Sequence, residues 1–161
     1  MVRWLSDEEL GAWIRLVSVC ELLPAALDSQ LRCDAGISHY EYFVLARLSD
    51  APDQTLRMST LAARTNATLS RLSHVVARLE QQGLVERAPC PEDARATNAR
   101  LTPQGQDKVV QAAPGHVEIV RQHVVDALSP HQIQQLSEIG GAILRRLDPE
   151  DRLGVGELDA R

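Results

Sequence analysis

The strongest constraint on this chain is a change of hydrophobic period in its middle. Two helical runs, about 58–65 and 68–82, are separated only by Asn66 and Ala67, and a short helix, a tight turn and a longer helix make a helix-turn-helix. Asn66 stands where such a turn needs a positive φ, which Asn tolerates better than most residues. Thr68 is placed to cap the second helix, with Arg71 where a capping box would put Glu or Gln, and Gly83 stops it. From Leu84 the spacing becomes strand-like: 84–87 and 96–101 read as two strands joined by a turn over Pro89–Asp93. A hairpin with an arginine near its tip is a wing. Thr102 followed by Pro103 then opens another helix, since proline at the first helical position gives up no hydrogen bond.

The flanks read as helices. Ser6 precedes Asp7, Glu8 and Glu9, carboxylates that suit the positive end of a helix dipole, and Leu10, Trp13, Ile14, Val17 and Cys20 follow as one apolar stripe. Pro24 is expected to kink or restart this helix before Gly36 ends it, and Ser38 to cap a helix carrying Tyr42, Phe43, Leu45 and Leu48. The helix opening at Thr102-Pro103 is expected to reach about Leu128 with a bend at Pro114-Gly115, and Ser129-Pro130 to start a last one. The fold class is therefore mainly α with a small β wing: a winged helix-turn-helix over 38–103, set in a dimerisation frame formed by 1–37 and 104–147, with a frayed tail over 148–161.

Composition excludes several alternatives. The hydrophobic content of 44% and charged content of 24% are those of an ordinary globular chain, not a disordered one. No run of about 18 consecutive apolar residues and no signal-peptide core are present, so a cytoplasmic protein without a membrane partner is expected. Three cysteines without a CxxC pair support neither a disulfide framework nor a zinc module. His116 and His123, with Glu118 or Asp126, could share a helix face, but no HxxxH or HExxH pair occurs and no metal or other cofactor is expected. There is no phosphate-binding glycine loop, nucleophile elbow or paired catalytic carboxylate, so the chain is not expected to be an enzyme.

The charge is distributed unevenly. Lys108 is the only lysine among 17 basic residues, and the formal charge is −5. Between Thr55 and Pro103 seven arginines face four acids, an excess of three positive charges that leaves −8 on the remainder. A basic middle rich in arginine, which binds phosphate and guanine in bidentate fashion, inside acidic flanks fits a nucleic-acid reader in a self-associating frame. At 100° per residue, Leu69, Leu72, Val75, Val76 and Leu79 fall in one sector of the second motif helix and are expected to be buried. The opposite sector holds Ala67, Ser70, Ser73, His74 and Ala77, with Arg71 and Arg78 at its edge. Small residues there would admit the helix to a major groove, and Ser, His and Arg would supply donors; the same residues would also suit a merely solvated face.

Residues 40–105 resemble the winged helix-turn-helix of the multiple antibiotic resistance regulator (MarR) family. Leu61-Ala62, Ser70 and Arg71 with Leu79-Glu80, Gly83-Leu84-Val85 with Arg87, Asp93, Arg95, and Leu101-Thr102-Pro103-Gln104-Gly105 carry the likeness. The resemblance implies a sequence-specific transcriptional regulator that binds pseudo-palindromic double-stranded DNA as a homodimer and acts as a repressor released by a small ligand. In such proteins the wing aspartate orients an arginine and a wing arginine enters the minor groove; Asp93 and Arg95 match, whereas Ala94 stands where many members carry another arginine. The residues expected to meet DNA are Thr68, Ser70, Arg71, Ser73, His74, Arg78, Asp93 and Arg95. Trp13, Tyr40 and Tyr42 fall near the junction where relatives bind phenolic or amphipathic effectors, although core packing would use them equally well. Two alternatives remain: a helical interaction module that does not bind DNA, and a thiol-responsive regulator. For the latter, Cys90 between two prolines on the wing is expected to be the most exposed thiol, and Cys20 on the apolar stripe to be buried.

Overall fold

The computed structural model describes residues 1–156, and among them the helices and strands pack around a core centred on the middle third of the chain. Helix α1 (Asp7–Ala35) begins at Ser6, whose hydroxyl accepts from Glu9 N while the Glu9 carboxylate accepts from Ser6 N, a capping box. The helix runs through Pro24 without a break, contrary to the expected restart. Pro24 and Cys20 are both exposed, so the carbonyl that proline leaves unbonded four residues back faces water. Helix α2 (His39–Ser49) has the same box at Ser38 and Glu41, and it leads through a 3₁₀ turn at Pro52–Gln54 into β1 (Thr55–Arg57).

The helix-turn-helix forms as read: α3 (Met58–Arg64), Asn66 at φ 49°, and α4 (Leu69–Gln81), closed by Gly83 at φ 72°. The wing is longer than expected. Strand β2 (Val85–Cys90) and strand β3 (Asp93–Leu101) pair antiparallel from Val85–Leu101 outward, with a register shift at Pro89/Cys90 and only Pro91 and Glu92 between them. Strand β1 pairs with the far edge of β3, Leu56 opposite Ala99, so the sheet order is β1-β3-β2. Leu31 of α1, Ile37 of the connection and Val44, Leu45 and Leu48 of α2 meet Leu61, Leu72, Val76, Leu79, Leu84 and Leu101 in one core.

Helix α5 (Pro103–Val120) continues through Pro114, and the winding change lies further on, in a π-helical turn at Arg121–Val125 rather than at Pro114-Gly115. Gly115 lets α1 approach closely, because a Cβ there would lie 2.8 Å from Gln30 Nε2. Lys108 Nζ donates to the Ala35 carbonyl at 3.1 Å and ties the end of α1 to α5. Helix α6 (Pro130–Leu147) is capped by Ser129 and Gln132 and has no buried residue. On α1 only Leu27 and Leu31 are buried, while Leu10, Trp13, Ile14, Val19 and Leu22 are exposed. An 18-residue window of α1 has mean hydropathy 1.6, so this helix is long and apolar enough to cross a membrane by length and composition, which a search for uninterrupted apolar runs passes over.

The described part of the tail, up to Gly156, folds back on itself through local hydrogen bonds. Asp148 Oδ2 accepts from Leu153 N and Asp151 Oδ1 accepts from Val155 N, each at 2.9 Å, and Gly154 is buried beside the Arg64 guanidinium. These contacts lie within the stretch 148–161 where fraying is expected, and the part of it beyond Gly156 lies outside the described residues.

Candidate nucleic-acid interface

Helix α4 is anchored by Leu72, Val75, Val76 and Leu79, all buried, and this fixes which face it presents outward. Leu69 departs from the expectation: it is 53% exposed. It is the first helical residue and projects beyond the end of the core, where helical periodicity has nothing left to pack against. Ser70, Arg71, His74 and Arg78 are exposed, and Ser73 and Ala77 are half-buried. The Thr68 hydroxyl accepts from Arg71 N at 3.2 Å and is used as the helix cap.

Two of the α4 cations are held by the rest of the domain. The Arg71 guanidinium lies 4.6 Å from the centroid of the Tyr40 ring. Tyr40 Oη is 3.0 Å from Thr65 Oγ1, and Thr65 gives its proton to the Leu61 carbonyl at 2.7 Å, so the tyrosine is the donor of the pair. Arg78 is bound to Glu41, Nη2 to Oε1 at 3.2 Å. Glu41 is only 8% exposed, and its other oxygen accepts from Ser38 N at 2.8 Å and Ser38 Oγ at 2.9 Å. Burial pushes this carboxyl up, but the Ser38 bonds and Arg78 together hold it below the usual carboxylate range. The S-x-x-E spacing at 38–41 was the signal available for Glu41 in the sequence.

The wing closes the other side of α4. Asp93 Oδ1 accepts from Arg95 N at 3.1 Å, and Asp93 Oδ2 lies 3.7 Å from Arg57 Nη1. The arginine side chain that the aspartate pairs with is therefore Arg57 of β1, and Arg95 is held through its backbone with its side chain exposed. Sequence reading missed Arg57 because its strand is three residues long. Arg87 gives Nη2 and Nε to Glu80 Oε2 at 2.7 and 3.0 Å, and these bonds hold the Glu80 carboxyl down. Arg100 lies 3.6 Å from Glu86. Among the described residues Arg95 pairs with no carboxylate, so it is the wing cation with an uncommitted side chain. Two grooves flank α4: one of about 650 Å³ toward α1 and α2, lined by Arg32, Arg71, His74 and Arg78, and one of about 380 Å³ toward the wing, lined by Arg57, Leu69, Ser73, Arg87 and Arg95.

The three aromatics assigned to an effector are not brought together. Trp13 is exposed on α1, 18 residues and so about 27 Å along the axis from Leu31. Tyr40 lies under Arg71, and Tyr42 packs 4.7 Å from the His116 ring, which in turn stacks 6.0 Å from His39. Burial holds both histidines below their ordinary value, and each counters or adds to that through its neighbour: Asp28 raises His39, whereas His39 lowers His116. The cysteines also reverse. Cys90 is 6% exposed, folded under the wing turn, and Cys20 is exposed because its stripe faces no partner within the chain. The N–H groups of Glu92 and Asp93, with Arg57, hold the Cys90 thiol below its ordinary value. Among the described residues no three His, Cys, Asp or Glu side chains converge on a common point.

Comparison with known proteins gives a consistent result. Residues 35–96 match the family model described as MarR family. Over 92% of this chain and 93% of its own, a MarR family transcriptional regulator of Streptomyces coelicolor, Sco3205, solved in complex with DNA, is 44% identical with a TM-score of 0.88. AbsC, a MarR family transcriptional regulator of the same organism, is 36% identical over 91% of this chain and 98% of its own, with a TM-score of 0.86. The transcriptional repressor YetL of Bacillus subtilis is 29% identical over 112 residues, which span 70% of this chain and 66% of YetL.

Proposed function

The chain belongs to the MarR family of transcriptional regulators, and on that premise we propose that it binds pseudo-palindromic operator DNA as a homodimer and represses transcription until a small ligand releases it. The observation that carries the reading is a single surface joining the small, polar outer face of α4 to an exposed wing arginine, on a chain 44% identical to a regulator solved with DNA. Ser70, Ser73 and His74 offer donors to base edges. Arg71, braced on Tyr40, and Arg78, held by Glu41, are pre-organised toward phosphates, and Arg95 extends toward a minor groove. Thr68 and Asp93 act by shaping α4 and the wing.

The dimer reading is supported by the apolar faces that one chain leaves uncovered: Leu10, Trp13, Ile14 and Leu22 on α1, and Ile133, Leu136, Ile139 and Ile143 on α6. The same faces account for the hydropathy of α1 without a bilayer, and the protein is proposed to work in the cytoplasm as a regulator, not as an enzyme. Two recognition helices related by a two-fold axis fit half-sites about one helical turn, roughly 10 bp, apart. The test is a titration of the purified protein against a duplex enriched from a random library and against its scramble, over a range of salt. The reading requires specific binding at least about 10³-fold tighter than to the scramble, falling steeply with salt. Equal affinity for both, or no binding, would leave a helical interaction module.

A further inference from the structure

We propose that Leu69 reads sequence by packing on the C5-methyl group of a thymine in each half-site; the proposal rests on the DNA-binding reading above. Leu69 shares a helical stripe with Leu72, Val76 and Leu79, which are fully buried, yet it is 53% exposed. Whatever Leu69 buries against the chain, just over half of it stays open to the groove between α4 and the wing, which Met58 and Ala96 line together with Ser73, Asp93, Arg57, Arg87 and Arg95. The exposed part of an apolar side chain in a groove lined by three arginines and Asp93 gains nothing from phosphates. It does gain from the one apolar group that the major groove displays, the thymine methyl. The position is suitable, because residues at the start of a recognition helix approach base edges most closely.

The neighbours leave this role open to Leu69. Within the first turn of α4 the Thr68 hydroxyl is used as the cap, and the Arg71 guanidinium is held over Tyr40. Leu69 and Ser70 remain as exposed side chains without a hydrogen bond or ion pair among the described residues, and of the two Leu69 carries the apolar surface that a thymine methyl, missing from uracil, would meet.

The experiment uses the full chain and the duplex enriched from a random library, with each thymine replaced singly by deoxyuridine. In the unaltered protein, replacement at one thymine per half-site, symmetrically placed, weakens binding about fourfold, the factor expected for exposing one methyl-sized group. In Leu69→Ala the same replacement changes affinity by less than about 1.5-fold, a level that reports loss of the methyl contact, and Leu69→Met, which keeps an apolar tip, restores sensitivity. Thermal unfolding of Leu69→Ala that matches the parent shows that the fold is intact. Identical uracil sensitivity in the parent and in Leu69→Ala overturns the assignment, as does an enriched site without symmetric thymines. A library that yields no preferred duplex overturns the DNA-binding reading, and this assignment with it.

Discussion

A methyl group added at Gly105 has no room. In the first turn of α5 an ideal Cβ would stand 2.1 Å from the Leu84 carbonyl oxygen, 2.7 Å from Leu101 Cδ1 and 3.0 Å from Leu84 C. Two of these atoms are backbone and cannot rotate aside. The same carbonyl accepts from Thr102 N at 3.1 Å, while Thr102 Oγ1 donates to the Gly83 carbonyl at 2.6 Å and accepts from Gly105 N at 3.0 Å. Moving α5 outward to admit the methyl strains the seam that joins the end of α4, the base of the wing and the start of α5. Overpacking costs about 2 kcal/mol, and the weakened Thr102–Leu84 bond about 1 kcal/mol. Alanine's better helix propensity returns about 1 kcal/mol. Gly105→Ala is thus expected to lose about 2 kcal/mol, which for a chain of this size lowers Tm by about 4–8 °C. The assay is circular dichroism melting at matched protein concentration, because a dimer's Tm depends on concentration. A Tm equal to or above that of the parent would refute the reasoning, since propensity alone would then outweigh the clash.

Three further outcomes are expected. Thr68→Ala removes the cap of α4 and costs about 1 kcal/mol in denaturant unfolding; an unchanged midpoint would mean that the Thr68–Arg71 bond is not a net contributor. Arg95→Ala weakens DNA binding and, because a cation in the minor groove also displaces counterions, reduces the slope of log affinity against log salt by about one per chain; an unaltered slope would mean that Arg95 does not enter the groove. His39 and His116, which lie near Asp28 and Tyr42, are both held below 6.5 in the fold, so the unfolded chain takes up protons first on acidification. Their contribution is complete above about pH 6.5 and is lost as pH falls through the lower folded values; His116→Phe flattens that loss between pH 7.5 and 5, and an equally steep profile would count against it.

What the sequence revealed was local chemistry. Ser6, Ser38, Thr68, Thr102 and Ser129 each cap the helix they precede, and Asn66 and Gly83 take the positive φ that their positions require, because each effect is decided within a few residues. What it concealed was decided elsewhere in the chain. Strand β1 exists only because the edge of β3 accepts it, and its single apolar residue, Leu56, shows no alternation. Periodicity placed Leu69 inside because a helical wheel does not know where the core ends. Glu41 and Arg57, which hold Arg78 and Asp93, pair across elements far apart in sequence. Cys20 and Cys90 exchange their expected exposures because Cys20 lies on a face of α1 that nothing in the chain covers, whereas Cys90 is folded under its own turn.

Hydroxyl-radical footprinting on the enriched duplex decides whether this chain reads DNA as a symmetric pair. Two equal protected segments, related by a two-fold axis and centred about 10 bp apart, are required if two α4 helices enter successive turns of one groove. A single protected segment, or uniform protection regardless of sequence, would contradict it.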